Sequence, residues 1–196
     1  MYIYDISRDI VSAEVYDGDP ETRVNLIKDM AKGDRYNLSS VSMCTHAATH
    51  IDAPLHFDEQ GESVDRLRLS TFYGKCTVIS FQGIFTGADM EKLLPKCKKR
   101  LLIHGEGNAF LSVSAAEVLA DSNMLLVGTD GLSIAADFDE DRVHRCLCTG
   151  KIAILEGLDL SNISDGEYTL AAFPIKLSGL EAAPCRAILL QQERGI

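Results

Sequence analysis

The stretch CTHAATHIDAPLHF, residues 44–57, holds three of the five histidines of this 196-residue chain. His46 and His50 stand four residues apart, which is the spacing of one helical turn. His50 and Asp52 stand two apart, which aims both side chains the same way on extended chain. Pro54 forbids a continuing helix. The sequence therefore predicts a compact bend here, neither a regular helix nor a regular strand.

The side chains of this bend are of the types that bind metal ions. Two neutral imidazoles and a carboxylate, here His46, His50 and Asp52, form the protein half of many catalytic Zn²⁺ sites, which leave a position for water. His56 lies beyond the proline, and its imidazole ordinarily titrates near neutral pH. We therefore predict that the first three residues bind a metal and that His56 is the general base that accepts a proton from water.

A second pair of ligand-type residues stands later in the chain. Glu156 closes the apolar run 152–155, and a carboxylate on an apolar strand face is costly unless it is paired or bound to a metal. His144 lies twelve residues earlier, on a predicted helix. A helix, turn and strand that fold back would bring the two together. The alternative is a surface histidine and an unrelated glutamate at a strand end.

Composition excludes several classes of partner. The chain is 46% apolar and 24% charged, with a net charge of −10, whereas nucleic acids and anionic membranes need a basic face. No apolar run approaches the ~20 residues that span a bilayer. The acidic start of the chain does not resemble a signal peptide, so we expect a cytoplasmic protein with reduced thiols. The six cysteines are Cys44, Cys76, Cys97, Cys146, Cys148 and Cys185.

Short apolar runs separated by turn signals predict many strands and few helices. The candidate strands are Tyr2–Ile6, Tyr36–Met43, Cys76–Phe81, Leu101–His104, Met124–Val127, Lys151–Glu156, Tyr168–Phe173 and Arg186–Leu190. The candidate helices are Ala88–Leu94, Ala115–Ala120, with a capping box from Ser114 to Glu117, and Asp137–Cys148. No linker divides the chain, so we expect one α/β domain with a mixed sheet over residues 1–196.

The central stretch resembles the H-x-G-T-H-x-D-x-P-x-H-F signature of the cyclase-like metal-dependent hydrolases, which include bacterial kynurenine formamidases and isatin hydrolases. Ala48 replaces the glycine of that signature. Alanine adds a methyl group and disfavours positive φ, so we expect a slightly altered bend and pocket. Further stretches resemble formamidase blocks in the same order: 17–20, 36–39, 128–130, 155–160, 174–177 and 179–188.

The resemblance implies a swivelling β/β/α fold, a homodimer or higher homo-oligomer, and one or two ions per chain, Zn²⁺ or alternatively Mn²⁺. The first ion would be held by His46, His50 and Asp52, and Asp52 would bridge to a second ion on His144 and Glu156. His56 would be the catalytic base. Thr49 is expected to support the ligands, and Arg186 to pair with an acidic residue. His104 is expected to lie in a loop, and Asp17 and Asp19 in a turn.

The leading functional hypothesis is metal-dependent hydrolysis of a small amide, namely an aryl formamide such as N-formylkynurenine. A cyclic amide or lactam is the alternative substrate, as the resemblance to isatin hydrolases suggests. A third hypothesis is a metal-binding protein without catalysis. The presence of His56 in addition to a complete ligand set argues against a protein without catalysis. A purely structural site would also close its coordination with four protein ligands and exclude water.

Overall fold

Residues 1–192, which the computed structural model describes, form thirteen β-strands and three α-helices. The strands are β1 (Tyr2–Asp5), β2 (Arg23–Lys28), β3 (Leu38–Ser42), β4 (His50–Asp52), β5 (Tyr73–Ser80), β6 (Gly83–Phe85), β7 (Arg100–His104), β8 (Ala109–Leu111), β9 (Leu126–Thr129), β10 (Ala153–Glu156), β11 (Gly166–Ala171), β12 (Ala182–Pro184) and β13 (Ile188–Gln191). The helices are α1 (Gly87–Leu93), α2 (Val113–Ala120) and α3 (Glu140–Thr149).

Nine of these strands make one mixed sheet, in the order β1-β13-β11-β5-β7-β9-β10-β4-β12. The four strands β5, β7, β9 and β10 run parallel, and the strands on either side join them antiparallel. Two small sheets, β2–β3 and β6–β8, stand apart from it. The expected fold class, a mixed α/β sheet with few helices, is confirmed. The expected domain, 1–196, extends past the described range.

Alternating side chains divide the core between the two faces of the large sheet. Leu101 and Ile103 of β7 pack with the residues of α1, α2 and α3, whereas Leu102 between them faces the opposite side. Successive side chains of a strand point to opposite faces, so a run of apolar residues in β7 is buried on both. The three helices cover one face, and residues outside the strands, such as Ile6, Val64 and Phe72, are buried against the other.

The three helices begin one to three residues away from their predicted starts. The predicted capping box at Ser114 is wrong, because α2 begins two residues earlier and its N-cap is Ser112, whose hydroxyl accepts the amide hydrogen of Ala115 at 3.2 Å. Ser114 instead accepts the amide hydrogen of Gly87 at 3.0 Å. A capping box does occur at α1, between Thr86 and Asp89. No helix in the described range is long and apolar enough to cross a membrane.

All eight predicted strands occur, with ends displaced by up to three residues. The prediction missed β2, β4, β6, β8 and β12. Four of these have only three residues, which is too short for an alternating pattern to be recognised. The central bend is therefore partly regular, because β4 lies inside it and a turn of 3₁₀ helix, Pro54–His56, follows.

The hairpin of β2 and β3 projects from the rest of the structure. Every residue of its two strands is exposed except Lys28, which is partly buried. Up to the bulge between Leu26 and Lys28, Val24 and Val41 form a cross-strand pair on one face together with Leu26, and the other face carries polar residues such as Arg23 and Ser40. The hairpin is thus amphipathic but uncovered.

Candidate metal centre

Strand pairing places the predicted ligands around one point. β4 lies between β10 and β12, and its register sets His50 opposite Glu156 and Asp52 opposite Ile154. Directly paired residues of antiparallel strands project their side chains to the same face. Glu156 therefore lies beside His50 although 106 positions separate them in the chain.

The bend before β4 is held by close backbone contacts. Ala48 adopts a φ of 55°, the left-handed conformation that the signature glycine would favour, and its carbonyl oxygen lies where a Cβ on Gly157 would come within 2.1 Å. The Thr49 hydroxyl donates to the carbonyl oxygen of Gly157 at 2.5 Å and accepts the amide hydrogen of Arg8 at 2.9 Å. Thr49 thus ties the bend to the end of β10, which agrees with its expected supporting role.

The first group of ligand-type side chains converges as predicted. Nδ1 of His46 lies 2.9 Å from Oδ1 of Asp52, and Nε2 of His50 lies 3.3 Å from the same oxygen. Asp52 and His50 are almost wholly buried, whereas His46 is partly exposed. The ring of His50 is fixed because its Nδ1 donates to the carbonyl oxygen of Ala48 at 3.0 Å. Its Nε2 is therefore the nitrogen that faces the carboxylates.

The second group forms where α3 packs against β10. Nε2 of His144 lies 3.3 Å from Oε1 of Glu156, so the predicted meeting of these two residues occurs. Nδ1 of His144 donates to the carbonyl oxygen of Glu140 at 3.0 Å, which again leaves Nε2 for the centre. Oε1 of Glu156 accepts the amide hydrogen of Ile134 at 2.7 Å. Both side chains are buried.

The two groups share Asp52 and fit a metal ion. Within each group, His46–His50–Asp52 and Asp52–His144–Glu156, one ligand atom per residue lies within 4.8 Å of the others. Among the buried side-chain atoms of residues 1–192, only Nε2 of His50 and both carboxylate oxygens of Asp52 lack a hydrogen-bond partner. Close ligand atoms without hydrogen bonds are costly in a protein interior, and a cation between them would satisfy all three.

The electrostatics of the cluster favour positive charge at its centre. Burial lowers the pKa of His50, but Asp52 and Glu156 outweigh burial and raise the pKa well above its ordinary value. Burial likewise lowers the pKa of His144, while the hydrogen bond and charge of Glu156 raise it to about 9. Burial raises the pKa of Asp52, yet the charge of His50 and the adjacent imidazole of His46 hold it well below its usual range. Where protons would otherwise sit, a divalent cation can supply the charge.

His56 lies beside the cluster rather than within it. Its ring centroid is 4.3 Å from that of His46 and 6.1 Å from that of His144. Burial is the main cause that lowers the pKa of His56, which favours the neutral ring that can accept a proton. The adjoining cavity has a volume of about 210 Å³. The residues that line it beyond the histidines and Glu156 include Glu14, Tyr16, Asp19, Phe57, Leu132 and Glu140.

Several residues outside the centre were also assigned from the sequence. The loop position expected for His104 is wrong, because it is the last residue of β7 and its Nδ1 lies 2.6 Å from Oδ2 of Asp130. Arg186 pairs with Asp5, as expected. The turn around Asp19 also occurs. All six cysteines are free thiols.

Sequence reasoning missed the outer wall of the cavity and one carboxylate near the ligands. Tyr16, which donates to Oε2 of Glu140 at 2.7 Å, reaches the cavity from a segment without periodic signal. Glu181 lies 3.6 Å from Nε2 of His46, measured to its Oε1. The pairing of β12 with β4 brings Glu181 close to His46, and no local sequence pattern predicts that pairing.

The chain belongs to the cyclase family, because the Cyclase family model matches residues 4–136. A kynurenine formamidase of Salinibacter ruber (strain DSM 13855 / M31) is 34% identical over 206 residues, which cover 96% of this chain and 97% of the relative.

Solved structures share the fold over nearly the whole length. A structure described as a predicted metal-dependent hydrolase from Bacillus stearothermophilus aligns with a TM-score of 0.82 and 28% identity, covering 96% of this chain and 97% of that one. Isatin hydrolase A from Labrenzia aggregata aligns with a TM-score of 0.81 and 18% identity, covering 97% and 94% of the two chains. At that identity, the second similarity supports the fold alone.

Proposed function

We propose that the protein is a metal-dependent hydrolase of a small amide, and specifically of an aryl formamide such as N-formylkynurenine. The observation that carries the proposal is the buried Asp52, which belongs to both ligand groups and whose carboxylate oxygens have no hydrogen-bond partner, with His56 beside it. The 34% identity to a kynurenine formamidase over almost the whole chain supports the choice of substrate.

The residues of the two groups would hold one or two divalent ions. His46, His50 and Asp52 would hold the first, and Asp52 would also contribute to a second ion held by His144 and Glu156. Imidazole and carboxylate ligands suit both Zn²⁺ and Mn²⁺, so the metal available to the cell decides between them. When bound, such an ion polarises a carbonyl group and lowers the pKa of water toward neutrality.

His56 would move the proton that hydrolysis requires. Its neutral ring accepts a proton from the attacking water as the oxygen adds to the formyl carbon, and returns that proton to the departing nitrogen as the C–N bond breaks. The products are formate and the free aryl amine. Phe57, whose ring centroid lies 4.5 Å from that of His56, and Leu132 supply apolar surface for the aryl group.

We prefer a formamide to a cyclic amide as the substrate because of the sequence identities to the two kinds of relative. The relative at 34% identity is a kynurenine formamidase, whereas isatin hydrolase A is only 18% identical and supports the fold alone. A cavity of about 210 Å³ suits a small substrate of either kind. A lactam is therefore the substrate to assay next if the formamide is not hydrolysed.

The direct test is hydrolysis of N-formylkynurenine by protein loaded with Zn²⁺ or with Mn²⁺, against protein treated with a chelator. We expect formate release that depends on the metal. Absence of turnover with stoichiometric bound metal would exclude the formamide, and isatin and other lactams would then be assayed. Absence of metal binding would exclude the proposed class of reaction.

His56→Ala separates the base from the ligands. We expect turnover to fall by about 10²–10⁴-fold, the usual contribution of a general base, while metal content stays unchanged. His104→Ala is the matched control, because His104 pairs with Asp130 and belongs to neither ligand group. The turnover of this variant should stay close to that of the wild type. Wild-type turnover in His56→Ala would remove His56 from the mechanism.

We also propose that the protein is at least a homodimer, joined through the hairpin of β2 and β3. Its apolar face, with Val24, Leu26 and Val41, has the alternation of a half-buried sheet. Residues 23–42 carry four basic and two acidic side chains, whereas the chain as a whole has a net charge of −10, so the hairpin complements the surface of a second copy.

Light scattering after size exclusion tests the interface. Wild-type protein should have twice the mass of the chain or more, and Leu26→Lys should shift it to the monomer because it places a charge in the apolar face. Asn25→Lys on the polar face of the same strand is the control. A monomeric wild type would contradict the proposal.

A further inference from the structure

The three histidines of the centre do not present the same ring atom to it. His50 and His144 each donate Nδ1–H to a backbone carbonyl oxygen at 3.0 Å, that of Ala48 and that of Glu140. A carbonyl oxygen only accepts, so both rings carry their proton on Nδ1 and offer Nε2 to the centre. His46 is turned the other way, because its Nδ1 lies 2.9 Å from Oδ1 of Asp52.

The outward nitrogen of His46 faces a carboxylate. Nε2 lies 3.6 Å from Oε1 of Glu181, which is slightly longer than a hydrogen bond, and a small rotation of the partly exposed carboxylate closes that gap. A carboxylate accepts and does not donate when ionised, so it favours the ring form that carries its proton on Nε2. Nδ1 is then free to act as the ligand atom.

Glu181 is held in this place by both its backbone and its side chain. It directly precedes β12, where Ala182 pairs with Asp52, and its carbonyl oxygen accepts the amide hydrogen of Ala53 at 2.8 Å. The hydroxyl of Thr45 donates to Oε1 of Glu181 at 2.5 Å. Since Thr45 is also the neighbour of His46 in the chain, the carboxylate and the imidazole are fixed from the same bend.

We propose that Glu181 is a positioning residue that accepts a hydrogen bond from Nε2–H of His46, so that His46 binds metal through Nδ1 while His50 and His144 bind through Nε2. The proposal rests on the metal centre of the proposed function. A carboxylate behind a ligating histidine fixes the ring and increases its basicity, and loss of such a partner typically weakens metal binding by about 10–100-fold.

The first experiment reads the ring protons directly. Multiple-bond ¹H–¹⁵N correlation spectra of Zn²⁺-loaded, ¹⁵N-labelled protein distinguish the protonated from the metal-bound nitrogen of each imidazole. We expect the proton on Nε2 in His46 and on Nδ1 in His50 and His144. A proton on Nδ1 of His46 would overturn the proposal and leave the metal centre intact.

The second experiment measures Zn²⁺ affinity by competition with a chelating dye. Glu181→Ala should bind Zn²⁺ about 10–100-fold more weakly. Glu181→Gln should lose less, because its amide oxygen still accepts from Nε2. Glu91→Ala, at an exposed glutamate of α1, should bind like the wild type.

The melting temperature of the metal-free variants separates positioning from a structural role. Glu181→Ala without metal should melt with the metal-free wild type. Wild-type affinity in Glu181→Ala, or weaker binding explained by a matching loss of metal-free stability, would overturn the proposal. Failure of the wild type itself to bind Zn²⁺ would overturn both this inference and the metal centre, whereas failure to hydrolyse N-formylkynurenine would affect only the proposed substrate.

Discussion

Ala48 has a positive φ, a backbone conformation that is unfavourable for alanine. Its φ of 55° places the methyl group close to the following carbonyl, at a cost of about 1–2 kcal/mol for an L-residue. In this conformation the carbonyl oxygen of Ala48 accepts a hydrogen bond from Nδ1 of His50. The strain therefore serves the orientation of a ligand-type side chain.

At this residue we expect Ala48→Gly to be neutral or stabilising by up to about 1 kcal/mol. Glycine removes the strain but loses some of that gain through the greater freedom of its unfolded chain. Urea unfolding of the metal-free protein measures the change. Ala47→Gly, at a neighbour without positive φ, is the control and should destabilise by about 0.5–1 kcal/mol. Destabilisation of both variants alike would show that the bend is relaxed at Ala48.

At the scale of elements, the centre depends on how closely the bend approaches the end of β10. Gly157 has a φ of 65°, and a Cβ there would lie 2.1 Å from the carbonyl oxygen of Ala48. That oxygen belongs to backbone, which cannot rotate away as a side chain can. The strand end and the bend are thus fitted to each other without room for one methyl group.

Gly157→Ala should consequently destabilise the protein by more than about 2 kcal/mol and weaken metal binding, because the bend that carries His50 must move. Gly179→Ala is the matched control. Gly179 has a similar φ of 77° but open space around its Cβ position, so the cost should be the strain alone, about 1–2 kcal/mol. Chemical unfolding and Zn²⁺ titration check both variants; equal costs would argue against the close approach.

Local patterns predicted those parts of the centre that lie close together in the chain. His46, His50 and Asp52 fall within seven residues, and His144 precedes Glu156 by twelve, so spacing alone suggested each group. The pairing of β4 with β10 joins the groups across about a hundred residues, and a three-residue strand carries no alternation to reveal it. Glu181 stayed unrecognised for the same reason.

The start of α2 is a second feature that the local sequence could not predict. Ser112 and Ser114 both have the side chain of an N-cap, and Glu117 three residues after Ser114 completes the capping-box pattern. The hydroxyl of Ser114 is used by the amide of Gly87 at the start of another helix, a tertiary contact that the local sequence does not contain.

On the scale of the whole molecule, a metal would link distant parts of the fold. The two groups draw on the bend and β4, on α3 and on β10, so an ion bound to them opposes unfolding of all four segments. A ligand present at 1,000 times its Kd stabilises the native state by about 4 kcal/mol.

The predicted mixed sheet is confirmed, but its strand order depends on contacts between residues far apart in the chain and could not be derived from the sequence.

Removal of metal should therefore lower the melting temperature. For a chain of this size, each kcal/mol corresponds to roughly 2–4 °C, so we expect protein saturated with Zn²⁺ to melt about 8–16 °C above protein in excess chelator. Differential scanning calorimetry measures the shift. Asp52→Asn should abolish most of it, because Asp52 belongs to both groups. Equal melting temperatures of wild type with and without metal would contradict the linkage.

The position of β4 between β10 and β12 has a consequence for synthesis on the ribosome. Both neighbours of β4 are made later, and β12 ends at residue 184, more than a hundred positions after His50. At translation rates of about 5–20 residues per second, the histidine-rich bend leaves the ribosome on the order of ten seconds before its partners exist. The bend can therefore take its place in the sheet only after β10 and β12 have been made, so we expect the complete centre to assemble late in synthesis.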